Sequence, residues 1–143
     1  MVRINLIKPR FLSDQHLIAE YDEILMLIAY IKKYSKTNLN KIPNNYSLGK
    51  GHILFFKNKV LYLKNRHEKL KKEMNIRGFK TRKTVYINHF SKNLLNNYKP
   101  KNEDKKIIKK RLIEKLKLKP NFYKYYSKNK SERFFINLIN KSN

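Results

Sequence analysis

SDQHLIAEYDEILMLIAYIKKYSK, residues 13–36, is the stretch on which the fold turns. Ser13 and Asp14 offer side-chain oxygens to the unpaired N–H groups that open a helix, and the periodic run follows at once. At about 100° per residue, Leu17, Tyr21, Ile24, Leu25, Ile28 and Ile31 fall on one stripe, which predicts an amphipathic helix ending near Lys36. The apolar run over residues 24–31 is too short to span a bilayer and reads as a buried helical face. His16, Glu20 and Glu23 share one flank beside that stripe. Taken alone they are ordinary boundary residues, and a metal site made from them lacks supporting ligands.

Outward from this helix the signals become sparser. Residues 35–47 are a polar, Asn-rich loop containing Pro43. Leu48-Gly49-Lys50-Gly51-His52 reads as a turn, and residues 53–56 as a short extended apolar run. Asn58 is placed to cap a second helix reaching Asn75 or Ile76, with Gly78 as its stop. Residues 79–100 carry no clean period and read as loops with one turn of helix. Glu103 and Asp104 suit the first turn of a third helix, where negative charge meets the helix dipole, and Pro120 ends that helix after about Leu118. An aromatic cluster at residues 122–126 and a basic tail with Phe134 and Phe135 complete the chain. The expected fold is all-α: one compact domain over residues 1–143, with three main helices, long irregular connections and a basic C-terminal extension from about residue 127.

The chain has 143 residues, with 35 Lys plus Arg against 10 Asp plus Glu, a formal charge of +25. Lys, Asn, Ile, Tyr and Phe together are what A/T-rich coding writes, but that drift does not explain the scarcity of acids. A polyanion, above all nucleic acid, is the indicated partner. Apolar residues at 41% and aromatics at 13% supply a core. The absence of Cys excludes disulfides, thiolate nucleophiles and cysteine zinc sites, and the four His show no paired spacing. With three Gly, neither a P-loop nor a dinucleotide fingerprint can be written. The N-terminus, MVRINLIKPRF, lacks the apolar stretch of a signal peptide, so the expected location is the cytoplasm, on the nucleoid.

Helix three breaks the simple division of core from surface. Ile107, Ile108, Leu112, Leu116 and Leu118 define a buried arc, and Arg111 and Lys115 fall inside it. Lys106, Lys109, Lys110 and Lys117 take the opposite, solvated face. Two cations in an apolar arc must meet a carboxylate, a phosphate or a water-filled cleft, unless their stems pack while their heads reach solvent. The cluster Phe122-Tyr123-Lys124-Tyr125-Tyr126 is equally two-sided: a core plug, or a basic aromatic surface that stacks on bases.

These residues together resemble a known family. Arg3-Ile4-Asn5-Leu6, then Asp14-Gln15-His16-Leu17 and Ala19-Glu20-Tyr21 with Glu23, are similar to the phage-type pyrimidine-dimer endonuclease V, a DNA glycosylase with abasic-site lyase activity. Leu48-Gly49 with Gly51-His52 and Phe55-Phe56, then Arg77-Gly78-Phe79, then Pro120 with Tyr123-Lys124-Tyr125-Tyr126, follow in the family's order. The resemblance covers residues 1–34, 48–79 and 111–126, and is poor over 80–110. Arg111 and Lys115 sit where the family carries basic residues of its DNA-binding cleft.

The resemblance implies a covalent mechanism without metal or cofactor. Met1 is removed, and the α-amine of Val2 attacks C1′ of the sugar on the 5′ side of the dimer. An imine forms and β-elimination nicks the strand. Glu23 occupies the position of the catalytic carboxylate. Arg3, Gln15 and His16 would line the same pocket, and Arg111, Lys115, Tyr123, Lys124, Tyr125 and Tyr126 would bind DNA. The implied partner is double-stranded DNA containing pyrimidine dimers or abasic sites, bound by a monomer, with no membrane involved. Three departures stand out. Val2 replaces the family's usual Thr, and Asp22 and Met26 replace two arginines that hold DNA. Two rival readings stay open: a catalytically silent DNA-binding relative, and a small basic RNA-binding protein.

Overall fold

A computed structural model describes residues 3–37 and 39–143. An extended N-terminal segment leads through a 3-10 turn at Pro9–Phe11 into helix α1, Asp14–Lys33. Ser13 caps it, its hydroxyl accepting from the His16 N–H at 3.1 Å. The short helix α2 spans Gly51–Phe56, α3 spans Val60–Ile76, and α4 spans Asn102–Leu118. A two-residue hairpin pairs β1, Lys124–Tyr125, with β2, Lys128–Asn129, and α5 covers Glu132–Lys141. The all-α expectation stands, but four long helices replace the three expected.

α1 packs on α3, and α4 on α5. The inward face of α1 is Leu17, Tyr21, Ile24, Leu27, Ile28 and Ile31, so Leu27 takes the buried place that the periodicity assigned to Leu25. α3 ends as Gly78 dictates. That residue has φ +87°, its N–H bonds the Asn75 carbonyl, and the Phe79 N–H reaches back to Met74. This is the paired closure of a Schellman motif. At α4 the Asp104 carboxylate accepts from the Lys101 backbone N–H at 3.1 Å and from the Tyr98 hydroxyl, closing the first turn.

Several details depart from the sequence reading. Residues 53–56 are helical rather than extended, because Phe55 and Phe56 point into an aromatic cluster with Tyr46, Tyr62 and Tyr98. Asn58 does not cap α3; its carbonyl instead receives the Asn96 backbone and side chain. Ile107 and Leu118 are exposed, leaving Ile108, Leu112 and Leu116 as the buried arc of α4. Lys109 is not a free surface cation, since its ammonium donates to the Ser142 carbonyl at the end of α5. The basic tail is itself a helix, capped by Ser131 and anchored through Phe135 and Ile139.

Two buried ionic networks tie these elements together. Arg66 on α3 makes a two-point pair with Glu20 on α1, at 2.6 and 3.0 Å, and donates to the Ile7 carbonyl at 2.6 Å. Arg77 donates to Glu73, to Asp14 and to the Leu12 carbonyl, all within 2.9 Å, and its guanidinium lies over Tyr125 and Tyr126. Asp14 in turn accepts from the Tyr126 and Ser127 N–H groups at 3.1 and 2.7 Å. Those two residues form the hairpin turn with φ +52° and +67° and no glycine. A tight hairpin turn of this kind needs positive φ at both positions.

Removing one member of a buried pair leaves the other uncompensated. Glu20→Gln is expected to destabilise the protein by about 3–5 kcal/mol in urea unfolding. Replacing both partners together, Glu20→Leu with Arg66→Met, is expected to recover much of that loss. Equal stability of the single variant and the parent would contradict this reading of the pair.

Candidate active site and nucleic-acid interface

A cleft of about 340 Å³ opens where the N-terminal segment crosses between α1 and α4. Arg3 and Asn5 come from the segment, His16, Ala19 and Glu23 from α1, and Arg111, Leu112 and Lys115 from α4. Helical spacing explains the choice: 16, 19 and 23 share one face of α1, and 111, 112 and 115 one face of α4. The segment is fixed at one residue. The Ile4 N–H donates to His52 Nε2 at 3.0 Å, and the Ile4 carbonyl accepts from the Tyr46 hydroxyl at 2.9 Å. One residue earlier, the Arg3 backbone N–H donates to Glu23 Oε2 at 3.2 Å.

Burial pushes the Glu23 carboxyl above the usual carboxylate range, against the stabilising Arg3 N–H bond. His16 is pushed down to about 4, first by burial and then by the Arg111 and Lys115 charges. It is therefore neutral near pH 7, with its ring stacked on Tyr123 at 4.8 Å. Arg3 is also lowered, by burial and by Arg111. Neither Arg111 nor Lys115 forms an ion pair with a carboxylate among the described residues. The cleft thus holds one half-buried carboxylate beneath three cations, an arrangement that attracts an anion.

Of the residues singled out in the sequence, Arg3, His16, Glu23, Arg111 and Lys115 meet in this cleft. Val2 lies outside the described residues. Glu20 leaves the flank it shares with His16 and Glu23 and turns to Arg66, and no group of three His, Cys, Asp or Glu is placed to hold a metal among the described residues. Gln15 is not in the cleft. Its amide donates to the Phe122 carbonyl and accepts from the Lys124 N–H, both at 2.9 Å, which clamps the hairpin to α1. Tyr123 is buried between His16 and Phe135, Tyr125 donates to the Arg10 carbonyl, and Tyr126 to Glu73. Lys124 is exposed. Asn5 and Ala19 have no role in the sequence motifs that contain them, and the cleft assigns them one. Asn5 is buried and lines the cavity.

The sequence model for the pyrimidine dimer DNA glycosylases matches residues 1–87. The chain belongs to the pyrimidine dimer DNA glycosylase family. It is a DNA repair glycosylase whose substrate is DNA containing pyrimidine dimers. The matched span holds Arg3, His16 and Glu23, whereas Arg111 and Lys115 lie beyond it and join the site through the packing of α4. The two inward cations of α4 therefore line the same cleft as Arg3, His16 and Glu23.

The low position of His16 has a consequence for stability. A histidine near 4 in the folded state and near 6.5 when unfolded takes up its proton more readily in the unfolded chain between those values. Its contribution is intact above about pH 6.5 and is lost as the pH falls toward 4. Urea midpoints are expected to drop across that window, and less steeply in His16→Gln. An unchanged pH slope in the variant would show that His16 is not one of the groups responsible.

Proposed function

We propose that the reaction runs through the α-amine of Val2 after removal of Met1, with Glu23 as the catalytic carboxylate. The Arg3 N–H bond to Glu23 carries this reading, because it holds the residue next to position 2 against the carboxylate. A free α-amine, with an ordinary pKa near 7.7–8.0, keeps a useful neutral fraction at cellular pH. Its nitrogen bonds to C1′ of the sugar on the 5′ side of the dimer as the glycosidic bond breaks, and the released pyrimidine stays joined to its 3′ neighbour through the dimer. Loss of a proton and ring opening give an imine, and removal of a C2′ proton then expels the 3′ phosphate by β-elimination. The second step makes the protein an abasic-site lyase as well as a glycosylase. Glu23, raised by burial, suits both the stabilisation of developing positive charge and the movement of these protons. Arg3, Arg111 and Lys115 hold phosphate. The whole chain acts as a monomeric unit on nucleoid DNA in the cytoplasm.

A second reading, a catalytically silent DNA-binding relative, draws support from one observation. Asp22 and Met26, which stand where the family has arginines, are both exposed beside Glu23 and have no cationic group to offer a phosphate. One experiment separates the two. Borohydride is expected to trap the protein covalently on duplex DNA containing an abasic site, and acetylation of the N-terminus is expected to abolish trapping. Undiminished trapping after acetylation would point to a lysine nucleophile, and no trapping at all to the silent relative.

Glu23→Gln keeps the size of the side chain and removes its charge. Turnover on dimer-containing DNA is expected to fall by at least about two orders of magnitude while binding is retained. Parallel losses in binding and turnover would mark Glu23 as a structural residue only.

A further inference from the structure

The cleft uses only part of one face of α1. On a helical wheel, His16, Ala19, Glu23, Met26, Tyr30 and Tyr34 fall within about 80° of one another. The first three line the cleft. The next three continue the same face past it and remain exposed, Met26 at 63% and Tyr30 and Tyr34 at 38% each. The two tyrosine rings lie 4.9 Å apart, tilted by 48°, and the Lys33 ammonium stands 5.4 Å above the Tyr34 ring. At about 1.5 Å per residue the face runs about 16 Å from Glu23 to Tyr34, the length of about five stacked nucleotides.

Two features say what covers this ridge. It is continuous with the cleft that takes the DNA, on α1 and the residue that caps its end. Around Tyr30 and Tyr34 the sequence is also cationic, since no Asp or Glu occurs between Glu23 and Glu68 and Lys32, Lys33 and Lys36 are exposed there, the exposed Asp22 lying a turn before Met26. A partner protein with an apolar face has no use for that charge. A nucleic acid uses both parts, base and sugar faces on the aromatics and phosphates on the lysines. We infer that Met26, Tyr30 and Tyr34 form a stacking track for the bases and deoxyribose faces of DNA flanking the lesion, with Met26 as the apolar wedge nearest the reacting sugar. The track rests on the reading of the cleft as the lesion-binding site. It adds a salt-insensitive contribution where arginine-to-phosphate bonds are absent, and it makes binding sensitive to how readily the flanking bases unstack.

The test uses the full chain and a duplex carrying a stable abasic-site analogue, with affinity measured across a range of salt. Tyr30→Ala with Tyr34→Ala is expected to weaken binding about tenfold or more at every salt concentration, leaving the slope of log K against log salt unchanged. Tyr30→Phe with Tyr34→Phe keeps the ring faces and is expected to stay within about twofold of the parent. Lys115→Ala is expected to flatten the slope by about 1 for each phosphate that the side chain neutralises in the parent. Met26→Ala, at a side chain mostly in solvent, gives a second, several-fold weakening should the tyrosine pair affect folding. A 2-aminopurine within five nucleotides of the lesion is expected to change fluorescence on binding the parent and not the double alanine variant. Full affinity and an unchanged fluorescence response in the alanine variants, while Lys115→Ala still weakens binding, would overturn the track and leave the cleft reading standing. Failure of the parent to bind the lesion duplex would overturn both.

Discussion

Everything in this site hangs on the backbone of Ile4, whose N–H and carbonyl are both bonded by side chains distant in sequence. His52 accepts its N–H and Tyr46 donates to its carbonyl. The His52 tautomer is set by the far side of its ring, where Nδ1–H donates to the Ser47 carbonyl at 2.8 Å. That bond needs the loop to fold tightly under α2. It does so at Gly51, where an added Cβ would lie 3.0 Å from the Ser47 hydroxyl. His52 is pushed down to about 4, by burial above all, so it stays an acceptor near neutral pH. The extended segment that begins at Arg3 is thereby tied to the body of the protein by side-chain bonds, with no regular element to hold it. The Glu23 bond to the Arg3 N–H follows from that anchoring.

The second constraint acts at the other end of α1. Asp14 holds three partners at once: the Arg77 guanidinium and the two N–H groups of the hairpin turn. Through it the end of α3 and the hairpin are fixed to the start of α1. Tyr123, just before the hairpin, stacks on His16 and orients that ring at the edge of the cleft. The aromatic cluster is thus chiefly a clamp, with Phe122, Lys124 and Tyr126 its exposed members. Gln15, with both ends of its amide committed to the hairpin backbone, belongs to the same clamp.

How much of this could be read from the sequence varies with the kind of signal. α1, the Gly78 stop and the acidic start of α4 are local matters of capping and period, and they were legible. α2 was not, because four consecutive apolar residues carry no period, and helix or strand is decided there by the aromatic cluster they enter. α5 carries local signals of its own. Ser131 and Glu132 are good helix-start chemistry, and Phe134, Phe135, Leu138 and Ile139 repeat at helical spacing, within a composition of Lys and Asn that is otherwise that of a tail. Arg111 and Lys115 stand out as anomalies in the sequence but cannot be placed from it, since only the folded chain shows that they share a cleft with the N-terminal segment and α1. The separation of Glu20 from Glu23 was beyond the sequence altogether, because Arg66 lies 46 residues away from Glu20 and nothing local announces the pair.

The same packing explains the electrostatic character of the whole molecule. Of the ten acidic residues, Asp14, Glu20, Glu73 and Asp104 are buried in structural bonds, and Glu23 lies in the cleft. Five are left to face solvent among about thirty exposed or half-exposed cations, so the outward field is more positive than the composition alone conveys. Such a field brings any DNA to the surface at a high rate but does not tell one stretch from another. Discrimination requires contacts that respond to the local state of the duplex. On the proposed reading the protein sets those on α1, where the Glu23 carboxylate shares the cleft with Arg3, Arg111 and Lys115 and the adjoining face turns apolar. Withdrawing acids into the core and leaving one at the cleft is therefore a single arrangement: the buried carboxylates hold the helices in register, and their absence from the surface is what draws the substrate in.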